Sequence, residues 1–261
     1  MKELKRITLS VFLITCTTVL VSAQSITGLD VMKNVYNRPT GPAITSEMTM
    51  TLTNSRGSTR ERTIRQYLKK YGDDEKKIMF FTSPADVKNT SFMDWSYGDS
   101  GKDDDMWIYL PALKKVKRIS SENKSDYFMG SDFTYDDLGD RKPEDDTHRI
   151  IGEETINGKD CYVIESTPKD KNSMYSKTIT WVVKNSWVGT KKEFYDEDGD
   201  LLKTLTIHSV DKVNGYWVIL DMEMENVQKN HTTRLQFKDV QIGKSINDNF
   251  FTERQMKKGV R

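Results

Sequence analysis

The chain has 261 residues, is 36% hydrophobic and 30% charged, and carries a formal net charge of +1. Lys and Arg alternate with Asp and Glu instead of gathering in blocks, so there is no basic stripe for nucleic acid. The length allows two domains, but β-rich chains of this size are often one.

In chain order, Lys2, Lys5 and Arg6 precede an apolar run from Ile7 to Val21, and Val21-Ser22-Ala23 is a small-residue cleavage site. This predicts a secretory signal peptide over 1–23 and an exported domain over 24–261. Cys16 raises a lipoprotein anchor as the alternative, but Thr15 fits a lipobox poorly and the apolar run continues past the cysteine. After cleavage only Cys161 remains, so no internal disulfide is expected. No later stretch approaches the ~20 apolar residues of a membrane helix, and no integral membrane segment is expected in the exported chain.

Thr27-Gly-Leu-Asp followed by Val31, Met32, Val35 and Tyr36 predicts an amphipathic helix ended by Pro39. From there the period is two. Ile44, Ser46, Met48, Met50 and Leu52 fall on one side of a strand, and Ile179, Trp181 and Val183 repeat the pattern. So do Leu205 with Ile207, Leu220 with Met222 and Met224, and Leu235 with Phe237. Asn157-Gly158, Asp198-Gly199 and Asn214-Gly215 predict hairpins over about 148–166, 189–209 and 202–226. Counting runs between turns gives an antiparallel meander of about ten or eleven strands, with short helices over 132–138 and 252–258. A sheet this long with one apolar face must cover it, either by stacking as a sandwich or by curving round on itself beneath the helices.

The stretch DYFMGSDFTYDDLG, residues 126–139, crowds aromatics between carboxylates. It is read as a lid on the apolar face, with Phe128, Met129, Phe133 and Tyr135 facing inward and Gly130 and Gly139 as flexible ends. The alternative is a loop that completes the core. The candidate walls of the cavity are Met48, Met50, Leu52, Phe80, Trp95, Trp107, Trp181, Leu205, Met222 and Met224. Their assignment rests on alternation, and a one-residue slip exchanges the faces. The many methionines suit irregular apolar partners such as acyl chains.

Catalytic signals are weak. His148, His208 and His231 have no metal-ligand spacing, and no nucleophile elbow, P-loop or dinucleotide fingerprint occurs. Asp196 to Asp200 lacks the spacing of a calcium loop. No catalytic residue, metal or cofactor is expected, and a hydrolase is the weakest of the readings considered.

The runs FMDWSYGD, MWIYLPALKKVKRIS and FMGSDFTYDDL carry a family pattern. Trp107, Tyr109, Pro111, Lys114, Arg118 and Ile119, followed by Gly130–Phe133, resemble the outer-membrane lipoprotein-sorting-like family, related in fold to the carrier LolA. The resemblance implies an unclosed antiparallel half-barrel with helices over its concave face. It also implies a periplasmic carrier that shields acyl chains of a lipid or lipoprotein, in partnership with an RND- or MMPL-type transporter. A docking adaptor without cargo is the alternative. The lid-binding arginine of the carriers has no motif match in this sequence.

Overall fold

The computed structural model describes residues 25–99 and 101–260. The expected signal peptide over 1–23 and Cys16 lie outside them. Helix α1, Gly28–Tyr36, is capped reciprocally by Thr27 and Asp30, a capping box that satisfies two backbone donors of the first turn.

Six strands follow: β1 (Ala43–Thr53), β2 (Thr59–Tyr71), β3 (Asp74–Ser83), β4 (Ser91–Ser96), β5 (Asp105–Leu110) and β6 (Lys115–Ile119). A strap over residues 120–145 contains the short helix α2, Tyr135–Leu138. Seven strands complete the sheet: β7 (Asp146–Ile156), β8 (Lys159–Pro168), β9 (Lys177–Val183), β10 (Gly189–Tyr195), β11 (Leu201–Val213), β12 (Tyr216–Asn226) and β13 (His231–Ile242). Helix α3, Glu253–Lys258, is capped by Thr252.

All thirteen strands form one antiparallel sheet, ordered β6-β5-β4-β3-β2-β1-β13-β12-β11-β10-β9-β8-β7. The sheet curves without closing into a barrel. There are more strands than the ten or eleven expected, because connections such as 184–188, which lack Asn-Gly or Asp-Gly, give no turn signal. The three expected hairpins are β7–β8, β10–β11 and β11–β12. At two of them Asn157 and Gly158 (φ +50 and +74) and Asn214 and Gly215 (φ +49 and +85) adopt the left-handed turn conformation that these dipeptides favour.

The topology is two meanders, β1 to β6 and β7 to β13, sewn together where β1 pairs with β13. The strap therefore has to travel from one free edge, β6, to the other, β7. It crosses the inner face on the way. α1 packs on the same face beside it, with Val31 against Ile164 and Val182. The outer face of β2–β5 is covered by the C-terminal segment. There Phe250 packs 4.6 Å from Tyr67 and 5.9 Å from Phe80, and the Ser91 hydroxyl donates to the Met256 carbonyl at 3.1 Å.

Candidate ligand-binding face and its lid

Cross-strand partners share a face, so the register sorts the inner side chains into rows. Leu205 faces Met224, which faces Thr233, which faces Leu52. The next row runs from Ile207 through Met222 and Leu235 to Met50 and Arg62. A third joins Phe237, Met48, Ile64 and Phe81. Met48, Met50, Leu52 and Met224 are buried there, in one cluster with Phe128, Phe133 and Tyr135 of the strap; Met129, Leu205 and Met222 are partly covered by the same cluster.

Four of the expected wall residues lie on the other face. Phe80, Trp95 and Trp107 belong to the outer cluster beneath the C-terminal segment, where Trp95 and Trp107 meet edge to face at 5.2 Å. Trp181 lies with Cys161 and Val183 on the outer face of β8 and β9, under the Lys191 ammonium at 4.5 Å, with its indole N–H on Glu154 at 2.9 Å. β3 and β4 carry apolar side chains on both faces, so alternation alone does not say which face is inner, and in β9 the more apolar alternate, Ile179, Trp181 and Val183, is the outer one. At these strands the inner positions are Met79, Phe81 and Phe92 in the first two, and Thr180 with Val182 in the third.

The strap over 126–139 is a small hairpin followed by a helical turn. Tyr127 bridges Thr134, and the Phe128 N–H donates to the Phe133 carbonyl at 2.8 Å. Gly130 sits at the hairpin tip with φ +73 instead of at a hinge, and Met129 beside it has φ +51. Gly139 is extended and packs against Met106, whose terminal methyl lies 2.8 Å from where a Cβ would stand. Phe128 is the centre of the aromatic contact, with ring centroids 5.3 Å from Phe92, 5.6 Å from Tyr135 and 5.9 Å from Phe81.

Polar latches hold this segment down. Arg62 Nη1 on β2 donates to the Met129 carbonyl at 2.6 Å. Lys203 on β11 has a fully buried side chain; its Nζ lies 2.5 Å from Asp137 Oδ2 and 3.1 Å from the Asp132 carbonyl. Asp137 also accepts from the Tyr175 hydroxyl at 3.0 Å and from the Thr134 N–H at 2.7 Å, which caps α2. The Asp132 carboxylate meets His231 Nδ1 at 2.6 Å and accepts from the Thr233 hydroxyl at 2.7 Å. At the far end Lys77 Nζ donates to the Leu138 carbonyl and pairs with the buried Asp94 at 3.3 Å. Burial raises the Asp94 carboxyl to about 6, although Lys77 pulls against it. Its Oδ1 has no hydrogen-bond partner among the described residues.

The latches were not anticipated from sequence. Their signal is a charge at an inward position of a period-two strand: Lys203 alternates with Leu205 and Ile207, and Arg62 with Ile64. A polar cleft of about 830 Å³ lies behind α2, lined by Lys102, Asp104, Lys124, Asp136, Arg141 and Lys169 among others. It is separate from the apolar face, whose centre the lid aromatics fill.

A model of an uncharacterized protein family matches residues 73–258. Among solved structures, a Vibrio parahaemolyticus domain bearing the name outer membrane lipoprotein-sorting protein is 37% identical, with 88% of this chain and 98% of that one covered and a TM-score of 0.83. A DUF1329 family protein from Desulfovibrio piger is 31% identical over 88% and 97% of the two chains, also with a TM-score of 0.83. A LolA superfamily protein from Nitrosomonas europaea shares the fold at 20% identity and a TM-score of 0.68, over 88% and 100%. No curated protein matches this sequence. Identity and coverage of this extent, on the half-barrel with its strap and helices described above, mean that the chain belongs to the DUF1329 family and has the LolA-like fold.

Proposed function

We propose that this protein is a periplasmic carrier that shields acyl chains of a lipid or lipoprotein on the inner face of the half-barrel during transfer across the envelope. The observation that carries the reading is the strap: aromatic side chains occupy the apolar inner face, but they arrive on a segment fastened by a few side-chain latches. Removing it uncovers a continuous methionine- and leucine-lined wall. An acyl chain resists entering water by about 0.8 kcal/mol per CH₂, so a sixteen-carbon chain opposes crossing an aqueous gap by roughly 10 kcal/mol or more. A wall that exchanges its own aromatics for the chain offsets this while keeping release within reach.

The wall comprises Met48, Met50, Leu52, Leu205, Met222 and Met224, with Ile64, Phe81 and Phe92 added by the register. The lid is Phe128, Met129, Phe133 and Tyr135. Export is supported by the leader-like first 23 residues, and sorting by the printed name of the Vibrio relative. An RND-type inner-membrane transporter is the partner implied by the resemblance of the motifs in residues 92–138. Among the described residues, no helix is long and apolar enough to cross a membrane.

Native mass spectrometry of freshly purified protein, followed by lipid extraction, tests the reading. Acyl lipid is expected with the native protein and is lost in Met222→Arg, which places a charge on a partly covered inner position while α1 and the outer face stay intact. Native protein that emerges without lipid, yet binds a transporter, would instead make it a docking adaptor.

A further inference from the structure

The inner face is not uniformly apolar: β10 places a lysine on it that the latches leave unused. Lys192 lies directly between Thr180 of β9 and Leu205 of β11. Its Nζ makes no hydrogen bond or ion pair among the described residues; its close neighbour is the Phe194 ring at 4.9 Å. Thr180 is only 7% exposed, and its hydroxyl is buried with no hydrogen-bond partner among the described residues. A buried hydroxyl left unpaired costs free energy that a bound acceptor would recover.

Two of the carboxylates nearby are already engaged. Asp137 is held by Lys203, Tyr175 and Thr134. Asp146 is held through both oxygens by Arg141, which also faces Asp136 at 3.7 Å. Three cations, Lys192, Lys203 and Arg141, thus face Asp136, Asp137 and Asp146, and burial pushes the Asp136 carboxyl towards its neutral form. Burial also depresses the Lys192 pKa, against the pull of Asp137 and Asp146. The charges balance three to three, with Asp136 making only the 3.7 Å contact with Arg141, and the donors left without a hydrogen bond among the described residues are the Lys192 ammonium and the Thr180 hydroxyl.

We propose that Lys192 and Thr180 form the seat for the acidic head group, carboxylate or phosphate, of an anionic amphiphile whose chain lies along Leu205, Met224 and Met222. Neighbouring strands are about 4.8 Å apart, so the path from β10 to β12 measures about 10 Å across the sheet, and its side chains beyond Lys192, namely Leu205, Met224 and Met222, are apolar. The ammonium and hydroxyl donate to the head group, and the chain continues onto the wall. This rests on the carrier reading and specifies the chemistry of its cargo.

The test compares binding of hexadecanoate, hexadecyl phosphate and methyl hexadecanoate to the native protein and to Lys192→Met, Lys192→Arg and Thr180→Val, each checked for folding by circular dichroism. Native protein is expected to bind at least one of the two acids at least about tenfold more tightly than the ester, the size of a charge-assisted hydrogen bond. The tighter acid identifies the head group. Lys192→Met should erase the preference by weakening acid binding to the level of the ester, Lys192→Arg should retain it, and Thr180→Val should reduce it. Equal binding of acids and ester by the native protein, or an undiminished preference in Lys192→Met, overturns the inference and leaves the carrier intact. Binding of none of the three overturns the carrier reading itself, and this inference with it.

Discussion

At the scale of single residues, the fold keeps charges where a greasy wall would be simpler, and each has a measurable consequence. Asp94 is 1% exposed, and its carboxyl is raised to about 6 by burial. A group that holds its proton more tightly when folded adds stability that is complete below its unfolded pKa near 4 and disappears as the pH rises through 6. Relative to Asp94→Asn, the native protein should therefore lose about 2 kcal/mol of unfolding free energy between pH 4 and pH 7. Urea titrations at the two pH values read this, and parallel behaviour of the two proteins would refute the assignment. Lys203 makes the opposite kind of contribution. Lys203→Met leaves Asp137 buried opposite an apolar group, a change that typically costs about 3–5 kcal/mol.

At the scale of elements, that loss should be local. The strap rests on the inner face, while the thirteen-strand ladder does not depend on Lys203 for its backbone hydrogen bonds. Hydrogen exchange in Lys203→Met should accelerate over residues 126–139 and stay slow in β1, β12 and β13; uniform acceleration would show that strap and sheet open as one unit. The elements also show where sequence was legible. β1, β11 and β12 alternate cleanly, so Met48, Met50, Leu52, Leu205, Met222 and Met224 fall on the inner face as reading the period suggests. Phe80, Trp95, Trp107 and Trp181 fall on the outer face, because two of the limbs are apolar on both sides. In one limb the C-terminal segment covers the second side. In the other, Lys191 and Glu154 shield the indole of Trp181. A covering element distant in sequence leaves no mark on local period. The same holds for the latches, which join the strap to strands 61 to 101 residues away.

At the scale of the whole molecule, lid and barrel meet at positions that allow them to be locked. The Asp132 N–H donates to the Thr233 hydroxyl at 2.9 Å, and that hydroxyl donates to the Asp132 carboxylate at 2.7 Å, so the two residues are direct neighbours across lid and barrel. Asp132→Cys with Thr233→Cys, oxidised, should abolish uptake of an acyl ligand, and reductant should restore it. Uptake indifferent to the cross-link would mean that this segment is a fixed part of the core.

The two meanders share one long-range strand ladder, β1 with β13, while every other neighbouring pair is consecutive in the chain. A protease nick at 120–125, on the exposed run that leaves β6, would consequently sever the polypeptide without dismantling the sheet. The two fragments would stay zipped along that central seam and elute as a single particle. What they would lose is the covalent leash between opposite rims, so the cut protein would keep its architecture and surrender control over when its interior is open.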